Sequence, residues 1–134
     1  MERLNISSGA PWGPLVGYSR AVRAGRFVFV SGTTATDAEG NVIGQGDPYA
    51  QSVAIFHKIE AALREAGASL QDVVRTRAFL TNMDDWQEVG RAHAEFLGDV
   101  RPACTMVEVR RLMDPAMLVE IEVDAVIDSG PDFT

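Results

Sequence analysis

The sequence contains a single cysteine, Cys104, so no disulfide can form within the chain. It has no Cys/His cluster at zinc-ligand spacing. Its two histidines, His57 and His93, fall on different predicted helices with no partner motif beside either, which favours surface or packing roles over metal or acid/base roles. No apolar run approaches the ~18 residues that cross a bilayer, and Met1-Glu2-Arg3-Leu4-Asn5 lacks the basic-then-apolar layout of a signal peptide. These absences predict a cytoplasmic protein with no membrane partner. Positive charge is also scarce: 12 Lys and Arg stand against 19 Asp and Glu, a net charge of −7 that repels a phosphate backbone. No nucleic-acid partner is expected. The dense basic spots, Arg75-Thr76-Arg77 and Arg110-Arg111, read as solvated positions or subunit salt bridges ahead of a phosphate site.

What is present is a chain of 134 residues, 46% of them apolar, enough for one domain with a real core. Residues 1–17 are expected to form an N-terminal strand or loop, and residues 129–134 a short tail. Within the first stretch, Gly9 to Gly17 is turn-rich and carries Trp12, predicting an ordered loop that something packs against, neither helix nor strand. From Tyr18 to Ser31, two runs rich in Val and Phe flank Arg23-Ala24-Gly25-Arg26 and predict a β-hairpin, with a second turn at Asp37-Ala38-Glu39-Gly40-Asn41. Phe27-Val28-Phe29-Val30 is apolar on both faces and reads as a central strand.

Asp47 before Pro48 is an N-cap with proline at the first helical position, and Tyr49, Val53, Phe56, Ile59 and Leu63 follow at helical spacing until Gly67. Val73 to Leu80 predicts a strand. Asp84 with Gln87, or Asp85 with Glu88, predicts a capping box opening a second helix to about Leu97, with Trp86, Val89, His93 and Phe96 as its inner stripe. Ala103 to Arg110 predicts a strand, Asp114-Pro115 a turn, and Leu118 to Ile127 a last strand. In that strand Val119, Ile121, Val123 and Ala125 share one face, and Glu120, Glu122 and Asp124 the other.

The order ββ(β)-α-β-α-β-β predicts an α+β fold with two helices covering one face of a sheet of five or six strands. The opposite face needs a cover. Phe27 or Val28, and Cys104 with Met106, are expected there, so subunits should pack sheet against sheet into a closed oligomer.

Several segments resemble the Rid family (YjgF-type, reactive imine/enamine deaminase) in order and spacing along nearly the whole chain. They are Gly17-Tyr18-Ser19-Arg20-Ala21-Val22, Phe29-Val30-Ser31-Gly32, the helix after Asp47-Pro48, and Val74-Arg75-Thr76-Arg77-Ala78-Phe79-Leu80. Arg101-Pro102-Ala103, Val107-Glu108-Val109 and Val119-Glu120-Ile121-Glu122 complete the set. The resemblance implies a chorismate-mutase-like fold and a homotrimer built around a barrel of packed sheets. It also implies clefts between subunits in which water attacks a small imine or enamine and releases ammonia, with no cofactor or metal.

Carried over residue by residue, the resemblance makes Tyr18 the cleft tyrosine, Ser31-Gly32 the strand end whose backbone faces the ligand, and Glu120 the glutamate that orients water. Two positions depart from it. The carboxylate-binding arginine that follows Pro-Ala in active deaminases is here Cys104, and a helix position that is often asparagine is Gly90.

An arginine suits a carboxylate because its planar fork donates two parallel charge-assisted hydrogen bonds, which a thiol cannot do. Cys104 therefore reads in three ways: a small buried strand residue, the lining of a cleft for a different ligand, or a reactive thiol. Arg101, three residues earlier, is a candidate for restoring the anion site. Burial and the neighbouring Glu122 and Asp124 would raise the pKa of Glu120 and suit it to act as a base; otherwise the three acids form a polar outer face. Two functions follow: a deaminase-type hydrolase of a small metabolite, and a non-catalytic metabolite-binding trimer. Ribonuclease activity, a label often attached to this family, is disfavoured by the acidic charge and by the lack of a His pair or Lys/His constellation for phosphodiester cleavage.

Overall fold

The computed structural model describes residues 2–128, so the expected tail at 129–134 lies outside the described residues. In chain order the elements are β1 (Arg3–Ile6), β2 (Ala21–Ala24), β3 (Phe27–Thr33), α1 (Pro48–Glu65), β4 (Val73–Leu80), α2 (Trp86–Leu97), β5 (Ala103–Glu108) and β6 (Val119–Val126). The strands form one six-stranded sheet in the order β1-β2-β3-β6-β4-β5. Every pairing is antiparallel except β4 with β5, so the sheet is mixed.

Alternation builds the core. Val28 and Val30 of β3, Ala78 and Leu80 of β4, and Val119, Ile121, Val123 and Ala125 of β6 are buried on one face. Against them α1 lays Ile55, Phe56, Ile59 and Leu63, and α2 adds Val89, Ala92 and Leu97. Each large side chain buried in this way stabilises the fold by roughly 1.5–3 kcal/mol. Both helices lie on this face, as the sequence predicts.

Helix α1 begins where expected. The Asp47 carboxylate accepts the Ala50 N–H at 3.0 Å and Pro48 occupies the first turn, where a missing N–H costs nothing. At the other end Gly67 adopts φ +86°, and the Arg23 guanidinium donates to the Ala66 carbonyl at 2.9 Å, satisfying a terminal acceptor. Gln51 is fully buried inside α1. Its amide donates to the carbonyls of Gly44 and Ala116 and accepts from the Leu118 N–H at 2.9 Å, which fixes the chain entering β6 against the helix.

Several expectations need correction. The loop Gly9 to Gly17 contains a helical turn: Gly13–Gly17 forms a single π-helical turn closed by the Tyr18 N–H on the Gly13 carbonyl at 3.0 Å. Pro14 suits its first turn and Gly17, at φ +88°, ends it. Neither predicted capping box opens α2. Asn82 instead accepts from the Asp84 N–H and starts a short 3₁₀ turn, Met83–Asp85, while the Met83 N–H donates to Glu108. That turn rotates the helix start, so Trp86 is 52% exposed and does not join the inner stripe.

The hairpin turn is tighter than the four residues read from sequence, since Arg23 and Ala24 belong to β2. Cys104 and Met106 do not face outward with Phe27. They pair with Thr76 and Ala78, which point to the helix side, and Met106 reaches within 4.0 Å of the position a β-carbon on Gly90 would take.

Candidate functional site

The β3–β6 ladder slips between Val30 and Thr33, where a bulge places both Ser31 and Gly32 at the end of β3. Beside this bulge lies a cavity of about 550 Å³. Tyr18, Arg20, Gly32, Lys58 and Glu120 line it, together with apolar side chains that include Trp12 and Met117.

Glu120 owes its place to the alternation of β6. Val119 and Ile121 enter the core, so Glu120 turns to the opposite face, as do Glu122 and Asp124. The three acids then differ. Arg77 donates to Glu122 and to Asp124, each at 3.3 Å, so those two share one cation. Glu120 has no ion pair or hydrogen bond of this kind among the described residues and opens into the cavity. Burial, with a lesser contribution from Glu122, pushes its carboxyl above the ordinary carboxylate range, although Arg20 pulls the other way. Its carboxylate lies over Gly32: a β-carbon there would come within 2.9 Å of Glu120 Cδ.

Two cations missed in the sequence share the cavity. Arg20, just before β2, donates from Nη1 to the Gly32 carbonyl at 2.9 Å and to Thr33 Oγ1 at 2.8 Å, and its guanidinium carbon lies 5.9 Å from the centre of the Tyr18 ring. Lys58 of α1 donates from Nζ to the Thr34 carbonyl at 2.7 Å and to Thr36 Oγ1 at 3.0 Å. Burial, then the charge of Arg20, lowers its pKa to about 8. The available signal was that Lys58 is the only lysine in the sequence and flanks the apolar stripe of α1.

Of the residues singled out from sequence, Tyr18, Gly32 and Glu120 meet at this cavity. Ser31 does not line it: its hydroxyl donates to the Ser19 carbonyl at 2.7 Å, tying the chain before β2 to β3. Cys104 is not buried. It is exposed on the edge strand β5, and neither it nor Arg101 lines the cavity. Arg101 is exposed, with φ +55°, a conformation that is uncommon outside glycine. His93 packs in the interior, with Nε2 2.8 Å from Thr76 Oγ1 and its ring edge-on to Phe56, and burial lowers its pKa. His57 is exposed. No group of three or more His, Cys, Asp or Glu among the described residues is arranged to hold a metal ion, and no helix among them is long and apolar enough to cross a membrane.

A mixed six-stranded sheet backed by two helices, with a carboxylate-bearing cavity at a bulged strand end, defines an α+β class that solved structures share. A member of the YjgF/YER057c/UK114 family from Mycobacterium tuberculosis superposes with a TM-score of 0.86, covering 94% of this chain and 100% of its own, at 46% identity. The family model described as Endoribonuclease L-PSP matches residues 9–127. The chain belongs to this Rid-type family. An uncharacterised protein of Streptomyces coelicolor is 41% identical over 120 residues, 90% of this chain and 89% of its own length. A 3-aminoacrylate deaminase, RutC, of Acinetobacter baylyi is 35% identical over 120 residues, 90% of this chain and 94% of its own.

Proposed function

We propose that the cavity hydrolyses a small imine or enamine to a carbonyl compound and ammonia. As an imine, the substrate carbon accepts the oxygen of water while Glu120 takes a proton from that water and passes it to the nitrogen. The resulting carbinolamine then collapses: its hydroxyl proton moves through Glu120 to nitrogen, the C–N bond breaks, and ammonia leaves. An enamine first tautomerises to the imine, with one proton delivered to carbon and one removed from nitrogen through Glu120, and then enters the same sequence. The reaction as drawn uses water and one carboxylate. Tyr18 walls the substrate in, and Gly32 admits the carboxylate.

The observation that carries this reading is the isolation of Glu120. Of the three acids on its face it alone lacks a cationic partner among the described residues and opens into the cavity, and burial raises its pKa above the ordinary carboxylate range, which eases both taking and giving a proton. The likeness to a protein named for 3-aminoacrylate deamination supports the same class of chemistry.

The chain is read as a cytoplasmic homotrimer whose open sheet faces, bearing Phe27 and Phe29, pack together. In such an assembly Cys104 on the edge strand would shape a neighbour's cavity. The absence of an arginine at Cys104 favours the second reading, a trimer that binds a metabolite without turning it over.

Ammonia release from 2-iminopropionate, generated in situ by an amino-acid oxidase, tests the proposal. Glu120→Gln should lower kcat/KM by roughly 10²- to 10⁴-fold, the usual contribution of a general acid/base. A variant as fast as the wild type would overturn the role of Glu120, and a wild type that binds 2-oxo acids but never releases ammonia would favour the binding trimer.

A further inference from the structure

We propose that Arg20 and Lys58 form an anion site in the wall of this cavity, so that a single chain supplies both the cations that hold a substrate carboxylate and the glutamate that handles its protons. The inference deepens the deaminase reading and names the substrate as a small carboxylate with an apolar body. It moves the anion-holding function from the edge strand β5, where Cys104 stands, to the approach to β2 and to α1.

Two half-buried cations sit in one cavity wall, and neither is ion-paired among the described residues. A cation withdrawn from water is costly unless an anion answers it. Their partners here are neutral. Lys58 meets one carbonyl and one hydroxyl, which leaves the third donor of its ammonium without a partner among the described residues. Arg20 commits only Nη1, to backbone carbonyls and Thr33, and leaves Nε and Nη2 unmatched among the described residues.

The acids nearby do not fill this role. Asp37 also lines the cavity, but its carboxylate accepts from the Glu39 and Asn41 N–H groups at 3.0 and 2.9 Å and closes its own turn. Glu120 lies near enough for Arg20 to lower its pKa, yet not within ion-pairing distance. Arg20 and Lys58 also repel each other, which depresses the pKa of Lys58 beyond the effect of burial, and an anion seated between them would relieve that repulsion. Trp12, Met113 and Met117 supply the apolar remainder of the wall, which suits a hydrocarbon body better than a polar one.

Pyruvate, the carbonyl product of 2-iminopropionate, is the probe, with pyruvamide as its uncharged counterpart, titrated against the full chain by isothermal calorimetry. Wild type should bind pyruvate about tenfold or more tightly than pyruvamide, and Lys58→Met and Arg20→Gln should each weaken pyruvate about tenfold while leaving pyruvamide unchanged, the scale of one charge-assisted hydrogen bond. Lys58→Arg should restore binding. Arg20, Glu120, Asp37 and Tyr18 line the same cavity as Lys58, and of these Arg20 acts on its charge; since binding requires that ammonium charged, affinity should fall as pH rises through about 8.

If Arg20→Gln loses its fold because Arg20 also ties the end of β3, Lys58→Met and the pH profile decide alone. Pyruvate affinity unchanged in Lys58→Met and flat across pH would overturn the site, whatever the outcome for ammonia. Conversely, a protein that never releases ammonia but binds pyruvate in a Lys58-dependent way would keep the anion site and discard the deaminase reading.

Discussion

Gly32 does not adopt a left-handed backbone; what demands glycine there is the Glu120 carboxylate packed against it. Gly32→Ala should keep the fold yet displace that carboxylate, lowering ammonia release by at least about tenfold, since a shift of an ångström at a reacting group is that costly. In a Glu120→Gln background the same change should add little, because the two substitutions act on one group, and the double-mutant comparison of kcat/KM checks it. Tyr18, Gly32 and Glu120 were legible because the resemblance assigns them by order along strands whose alternation fixes the side each faces. Ser31 and Cys104 came from the same resemblance and Arg101 from its place three residues before Cys104, but a bulge turns the Ser31 hydroxyl toward Ser19, an edge strand keeps Cys104 off the cavity of its own chain, and Arg101 is exposed outside it. Arg20 and Lys58 were not legible as site residues. An isolated cation in a sequence reads as solvated, and only the tertiary fold shows that these two share a wall with no ion pair to either among the described residues.

At the scale of elements, period and capping carried the reading where local signals were uncontested. The alternation of β6 and the Asp47-Pro48 start of α1 are seen as expected. The start of α2 is different: three candidate caps lie within four residues, and Asn82 wins because its side chain closes a 3₁₀ turn before either aspartate can cap. The consequence for packing is measurable. Phe56 is fully buried, 5.7 Å from the His93 ring and 5.2 Å from Phe96. Phe56→Ala should therefore cost about 3–5 kcal/mol. Trp86→Ala, which the stripe read from sequence would make equally damaging, should stay within about 0.5 kcal/mol because the side chain is largely exposed. Urea denaturation of the two variants distinguishes the observed helix phase from the one expected.

For the whole molecule, the uncovered sheet face is the feature that one chain leaves unresolved. Phe27 and Phe29 are 47% and 49% exposed and stack on each other at 6.5 Å, an apolar patch on the face opposite the helices. The sequence left Phe27 or Val28 open for this face, and Phe27 takes it while Val28 is buried; it also placed Cys104 and Met106 there, whose register with β4 puts them on the helix side. The contact between subunits is accordingly expected to centre on Phe27 and Phe29. Sedimentation should give a trimer for the wild type and smaller species for Phe29→Asp, whose charge could not be buried without a partner; a wild-type monomer would contradict this assembly.

The proposed deamination of small imines by a Glu120-centred cavity needs no arginine on β5. It is tested most directly by ammonia release from freshly generated 2-iminopropionate with wild type, Glu120→Gln and Cys104→Arg side by side. The wild type should release ammonia, Glu120→Gln should all but lose that release, and Cys104→Arg should not be required for it. Release that appears only in Cys104→Arg, or that persists in Glu120→Gln, would contradict it.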